Sequence, residues 1–125
     1  IYSKAETAIR ILIEQNSMMR GLERDVLEEN PEIVAAVCAE EYLEAANLCL
    51  DRLTEEKWQK SGGILELALT LAAVLEDAET FVMLKKCKCE CLIREGKREE
   101  AEAELSDLEE MCPGDEEVEA LRNMV

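Results

Sequence analysis

Three cysteines, Cys87, Cys89 and Cys91, stand at alternate positions in the chain and have the most distinctive chemistry of any cluster in it. Cysteine thiolates bind zinc and take part in redox reactions. On a helix the first and third share a face while the second points nearly opposite, so the three cannot converge on one tetrahedral ion. Cys87 and Cys91 could bind a metal together with Cys112, but no histidine or CxxC pair completes the set. We therefore interpret these cysteines as small packing residues, with that metal site as the alternative.

Catalytic chemistry has little support in the residue types present. The chain contains no histidine, which removes the commonest general acid or base and the commonest metal ligand together. It also contains no phosphate-binding glycine loop and no motif of an activated nucleophile. The many acids of residues 99–110, which include Glu104 and Asp107, alternate around the polar side of a predicted helix and are expected to be solvated. We predict that the protein is not an enzyme and needs no cofactor.

Basic residues are concentrated in one part of an otherwise acidic chain. Six of the fourteen lysines and arginines lie within residues 85–98: Lys85, Lys86, Lys88, Arg94, Lys97 and Arg98. Such a strip could face a groove and hold an acidic segment of another molecule. The alternative, which we favour, is that the basic residues pair with Glu90, Glu95 and Glu99 of the same helices.

The net charge of −16 at pH 7 limits the kinds of partner. Nucleic acids and anionic membrane surfaces both attract basic proteins, so we expect neither as a ligand. The longest apolar run, from Ile64 to Leu75, contains Glu66 and is too short to span a bilayer. We recognise no signal peptide and no disulfide scaffold, and so expect a reducing, cytoplasmic environment. Because the chain begins with Ile1 rather than Met, we also consider that it is a piece of a longer protein.

The apolar residues predict an all-α protein. Aromatic residues make up only 3% of the chain, and no stretch alternates apolar and polar residues in the way of a strand. Apolar residues instead recur at three- and four-residue spacing, and Asn30-Pro31, Gly62-Gly63, Gly96 and Pro113-Gly114 separate the stripes. In the helix from Phe81 we expect an inward face of Val82, Leu84, Cys87, Cys91 and Leu92. The predicted helices cover residues 2–15, 18–29, 32–57 with a break near 39–41, 64–76, 81–95, 97–112 and 116–124.

The stretch between Val82 and Asp115 resembles one tetratricopeptide repeat, a helical hairpin of about 34 residues. Lys85 and Lys88 depart from the pattern, because that family usually has large apolar residues there. An earlier, degraded echo begins at Tyr42. The residues that carry the resemblance are Cys89 in the first helix, Gly96 at the turn, Glu100, Ala101, Leu105 and Leu108 in the second helix, and Pro113 at its end.

The resemblance implies a single domain over residues 1–125 that stacks seven or eight antiparallel helices as a short right-handed solenoid. It also implies a non-catalytic binding module, of adaptor or chaperone type, whose groove holds a peptide or helix of a partner protein. The first helix of each hairpin would line that groove, and we expect Tyr42, Lys85, Lys88 and Leu92 to contact the partner. The alternatives are homo-oligomerisation, for example as a homodimer, and a regulatory role within a larger protein.

Overall fold

The described part of the chain, residues 16–19 and 21–125 of a computed structural model, is entirely helical. It contains no strand, which confirms the predicted all-α class; the helix predicted over residues 2–15 lies outside it. The helices are α1 (Arg24–Glu29), α2 (Pro31–Cys38), α3 (Tyr42–Arg52), α4 (Ile64–Val74), α5 (Ala78–Arg94), α6 (Arg98–Met111) and α7 (Glu116–Met124), with a 3₁₀ helix at Glu56–Trp58. No helix of this part is long and apolar enough to cross a lipid bilayer.

Local signals set most of the helix ends. Pro31 is the first residue of α2, where its missing N–H costs no hydrogen bond. Asp77 caps α5 by accepting a hydrogen bond from the backbone N–H of Thr80, so this helix begins three residues earlier than predicted. Asp115 caps α7 in the same way, with its Oδ1 2.9 Å from the N–H of Glu117. Helix α1 begins at residue 24, well after Gly21, because the residues around that glycine form a turn instead.

Three of the connections between helices have the same geometry. The middle residue of each has a left-handed backbone, with φ of 60° at Glu40, 56° at Glu76 and 77° at Gly96. The next residue then donates a backbone hydrogen bond of 2.9 Å to a carbonyl five positions earlier: Glu41 to Ala36, Asp77 to Ala72, and Lys97 to Leu92. This bond closes the carbonyl end of the helix and reverses the chain. Only one of the three turns uses the glycine that such a backbone favours.

Successive helices pack against each other along the chain, from α1 to α7. At the C-terminal end α5 contacts both α6 and α7, so these three helices form a compact unit. The buried side chains form two main clusters on either side of α5. The larger is centred on α4, which is buried on almost every side, and includes Leu84 and Cys91 of α5. The smaller contains Cys89, Leu105, Leu108, Val118 and Leu121.

Candidate functional site

One side of α5 carries an ion-pair network that joins three helices. The Lys88 Nζ lies 2.6 Å from Glu66 Oε1 of α4 and 3.2 Å from Glu104 Oε1 of α6. The Lys85 Nζ lies 2.8 Å from Glu104 Oε2 and 3.3 Å from Asp107 Oδ2. Glu104 therefore bridges two lysines, and its side chain is only 15% exposed. We call these five residues the paired face of α5.

The electrostatics of the paired face favour charged lysines. Burial by itself lowers the pKa of Lys85 and of Lys88, but hydrogen bonds and charge attraction from the carboxylates outweigh burial and raise both pKa values. Because each ammonium already has two carboxylate neighbours, neither lysine is a vacant cation for an acidic partner. The expected pairing with Glu95 is present, at 3.5 Å from Lys97 Nζ, whereas Lys85 and Lys88 pair with carboxylates of other helices. Glu104 and Asp107 were expected to be solvated, and here they hold this network.

The other side of α5 is exposed between two grooves. Met83, whose side chain is 49% exposed, lies on it with Cys87 and Glu90, and all three line both grooves. The groove towards α3 has a volume of about 300 Å³ and is also lined by Leu50, Leu53, Thr54, Gln59 and Arg94. The groove towards α7 has a volume of about 790 Å³ and is also lined by Val82, Ala120, Leu121 and Met124. We call the surface formed by these residues of α3, α5 and α7 the alternate-helix surface.

The charges around the alternate-helix surface are mostly acidic. Glu79, Glu90 and Glu117 line the groove towards α7. The only lysine in that groove, Lys86, lies 3.1 Å from Asp115 Oδ2 and 3.8 Å from Glu117 Oε2. The hydrogen bond to Asp115 raises the pKa of Lys86, and the same bond lowers the pKa of the carboxyl group. Arg94 lines the groove towards α3, so a partner would meet an apolar surface bordered by three carboxylates and two cations.

The cysteines occupy different environments and do not gather into one site. Cys89 and Cys91 are buried, Cys87 is exposed, and Cys112 is half-buried in the smaller cluster. The prediction that Cys87 points inward was therefore wrong, because Cys89 fills the space against α6 instead. Burial raises the pKa of the Cys87, Cys89 and Cys91 thiols, which disfavours reactive thiolates. Within residues 16–19 and 21–125 no three His, Cys, Asp or Glu side chains are close enough to hold a metal.

The four expected contact residues do not share one groove. Lys85 and Lys88 belong to the paired face. Lys88 and Leu92 line one cavity of about 620 Å³ with Glu66 and Glu104, but Lys88 is ion-paired there and the Leu92 side chain is only 1% exposed. Tyr42 lies apart at the start of α3, beside Leu75 at the end of α4. Sequence reasoning missed Met83, Cys87 and Glu90. Their spacing of four and three residues places them on one side of a helix, which was the available signal.

No family model, curated protein or solved structure matches this chain. The resemblance to tetratricopeptide repeats therefore stays an expectation drawn from its residues. The function has to be argued from what the grooves, charges and exposed side chains can bind.

Proposed function

We propose that this protein is a non-catalytic protein-binding domain that holds a peptide or helix of a partner protein on the alternate-helix surface. The observation that carries the proposal is the exposure of Met83 and Cys87 between two grooves that share them. Unbranched, polarisable methionine side chains adapt to varied apolar partners, and Met124, 54% exposed, extends the same surface onto α7. The role we propose is that of an adaptor or chaperone in the cytoplasm.

A stack of tetratricopeptide type with a right-handed twist is part of this proposal. In such a stack the first helices of successive hairpins lie side by side and form the binding surface. Helices α3, α5 and α7 would be those first helices, and each groove described above lies between two of them. The contact of α5 with α7 as well as α6 supports this arrangement at the C-terminal end of the chain.

The chemistry of the surface favours a partner segment with one apolar stripe and basic flanks. Apolar side chains would bury the exposed methionines, at about 25 cal/mol for each Å² removed from water. Lysine or arginine residues beside the stripe would meet Glu79, Glu90 and Glu117. Self-association through the same surface is the alternative, and the net charge of −16 on every copy opposes it.

Quantitative pull-down with the tagged chain tests the proposal through a matched pair of variants. Met83→Lys places a charge in the shared part of both grooves, whereas Met111→Lys makes the same change at a methionine that is 44% exposed and outside both. We expect the Met83→Lys variant to recover a bound partner about tenfold less well than the unmodified chain, because an anchor side chain is lost. The Met111→Lys variant should recover it normally.

Two results would contradict the proposal. Equal recovery of the same partner by the Met83→Lys and Met111→Lys variants would show that the alternate-helix surface is not the binding site. A dimer of the unmodified chain in light scattering that Met83→Lys alone dissociates would instead support self-association. Melting curves of both variants show whether a loss of binding comes from a loss of folding.

A further inference from the structure

A second exposed apolar surface lies at the ends of two helices and shares no residue with the grooves beside α5. The start of α3 and the end of α4 meet there, and Tyr42, Leu43 and Leu75 line a shallow cavity of about 550 Å³. The other residues lining it are Glu40, Glu41, Glu44 and Asn47. None of these residues belongs to the alternate-helix surface. We call this group the end patch.

The apolar side chains of the end patch are exposed beyond what the core requires. Leu43 is 66% exposed, the highest value among the large apolar side chains of the described chain, and Leu75 is 37% exposed. Tyr42 is half-buried and packs against the edge of the larger core cluster, which fixes one wall of the cavity. Adjacent exposed apolar side chains on a folded domain, rather than scattered single ones, mark interaction sites.

The charges of the end patch are all of one sign, and no basic side chain of residues 16–19 and 21–125 pairs with them. Glu40, Glu41 and Glu44 are exposed, and none of them forms an ion pair with another described residue. On the paired face, by contrast, each lysine is matched by carboxylates. A partner that brings positive charge would therefore gain attraction here without first breaking an internal ion pair.

We infer that the end patch binds a segment of a partner protein in which an apolar side chain is flanked by lysine or arginine residues. The apolar side chain would enter the cavity between Leu43 and Leu75, and the basic residues would meet the surrounding carboxylates. A second copy of this chain is a poor occupant, because a symmetric contact would place Glu40, Glu41 and Glu44 against the same carboxylates. This binding site is additional to the alternate-helix surface and does not depend on it.

The turn at Glu40 offers a variant that removes charge without harming the fold. Glu40 has φ of 60° in a turn that matches the turn at Gly96, where φ is 77°. Glycine adopts this backbone without steric cost, whereas a residue with a Cβ does not. Glu40→Gly should therefore leave the melting temperature unchanged or raise it. Leu43 is largely exposed, so Leu43→Ser also leaves the core intact.

Fluorescence anisotropy with a labelled synthetic peptide of about 15 leucine and lysine residues tests the inference. Because the alternate-helix surface is proposed to bind the same kind of segment, the end-patch variants are made in a Met83→Lys background. The Met83→Lys chain should still bind this peptide, and adding Leu43→Ser should weaken binding about tenfold. The double variant Glu40→Gly, Glu44→Gln should weaken it about threefold and reduce its dependence on salt concentration, because fewer charges remain to be screened. The control variants Met111→Ser and Glu99→Gln, at exposed positions elsewhere, should bind as the Met83→Lys chain does.

Several results would overturn the inference. One is the absence of binding at low salt. A second is a Leu43→Ser variant that binds the peptide as tightly as the chain without this substitution does. A third is a peptide with glutamate in place of lysine that binds as tightly as the leucine and lysine peptide. If Met83→Lys abolished binding while Leu43→Ser did not, the peptide would be bound on the alternate-helix surface instead. If sedimentation showed a dimer that Leu43→Ser dissociated, a second copy would be the true occupant.

Discussion

Lys85 and Lys88 lie on one side of α5, and Met83 and Cys87, their neighbours in the sequence, lie on the other. The lysines reach carboxylates of α4 and α6 and are largely covered, with side chains 13% and 20% exposed. Met83 and Cys87 face the spaces towards α3 and α7, where no described side chain covers them. Polarity alone therefore does not identify a binding face: in α5 the charged side holds the helices together and the more apolar side is left open.

The cause of the difference lies in the neighbouring helices. Helix α4 precedes α5 and helix α6 follows it, each through a tight turn, so their side chains come within ion-pair distance of α5. Helices α3 and α7 are one helix further along the chain, and grooves remain between them and α5. Charged side chains between α5 and the helices α4 and α6 need an oppositely charged partner, because an unpaired buried charge is destabilising. Side chains beside the grooves are under no such constraint.

The largest effect is expected from one substitution made at two neighbouring cysteines of α5. Cys89 is fully buried in the smaller core cluster, so Cys89→Asp should lower the free energy of unfolding by about 4 kcal/mol, because it places an acidic group in an apolar environment. Cys87→Asp should lower it by less than about 1 kcal/mol, mainly through helix propensity. Urea denaturation of both variants measures the difference. Equal losses in the free energy of unfolding would contradict the burial of Cys89 and the exposure of Cys87.

A smaller effect is expected from breaking the bridge of the paired face. Glu104→Gln removes the charge shared by Lys85 and Lys88 and should lower the free energy of unfolding by about 1–2 kcal/mol. The control is Glu102→Gln on the same helix, since Glu102 is 59% exposed and, among the described residues, forms one ion pair, with Arg122 at 3.2 Å. The control should leave stability nearly unchanged, as exposed ion pairs contribute little. Similar denaturation midpoints for both variants would refute the structural role given to the network.

The smallest effect is a pH dependence of stability that comes from the ion pair between Lys86 of α5 and Asp115, the cap of α7. The hydrogen bond from Lys86, followed by the backbone N–H groups of α7, lowers the pKa of Asp115. A carboxyl group with a lowered pKa in the folded state stabilises the protein above its unfolded pKa, near 3.9, and this stabilisation is lost as pH falls through the folded value. Asp115→Asn removes the charge, while asparagine still caps a helix.

We therefore expect the Asp115→Asn variant to be less stable than the unmodified chain at pH 7, and the two to converge as the pH falls below about 4. Thermal unfolding between pH 7 and pH 2.5 measures this. A difference that stays constant over the whole range would show that the effect of Asp115 comes from capping or packing and not from its charge.

Most of the helices could be predicted from the sequence, because their ends depend on neighbouring residues. The break near residues 39–41, the start of α2 at Pro31 and the turn at Gly96 all lie where expected. The predicted helix over residues 32–57 ends early, at Arg52, because residues 53–63 form turns and a 3₁₀ helix. Trp58, the last residue of the 3₁₀ helix, is buried in the core. The left-handed turns at Glu40 and Glu76 could not be predicted, because neither has a glycine at the left-handed position.

The candidate site could be predicted only in its broad character. The packing role of Cys89 and Cys91, which are buried, and the acidic composition were recognised from composition and spacing. The contact residues were not, because a helical pattern shows which side chains share a face but not which helix that face meets. Leu92 was expected both on the inward face of its helix and in contact with a partner, and it is buried, whereas Cys87 was expected in the core and is exposed. Both errors concern α5, whose two sides carry similar mixtures of apolar and charged residues.

By itself the sequence of residues 85–98 determined a helix, a glycine turn and the start of another helix. These are local events, governed by backbone hydrogen bonds and by residues within one or two turns. It could not determine that Lys85 and Lys88 would be neutralised by Glu66, Glu104 and Asp107 while Met83 and Cys87 stayed open. That outcome was decided by the tertiary structure, because ion pairing and burial depend on side chains that only the packing of separate helices brings together.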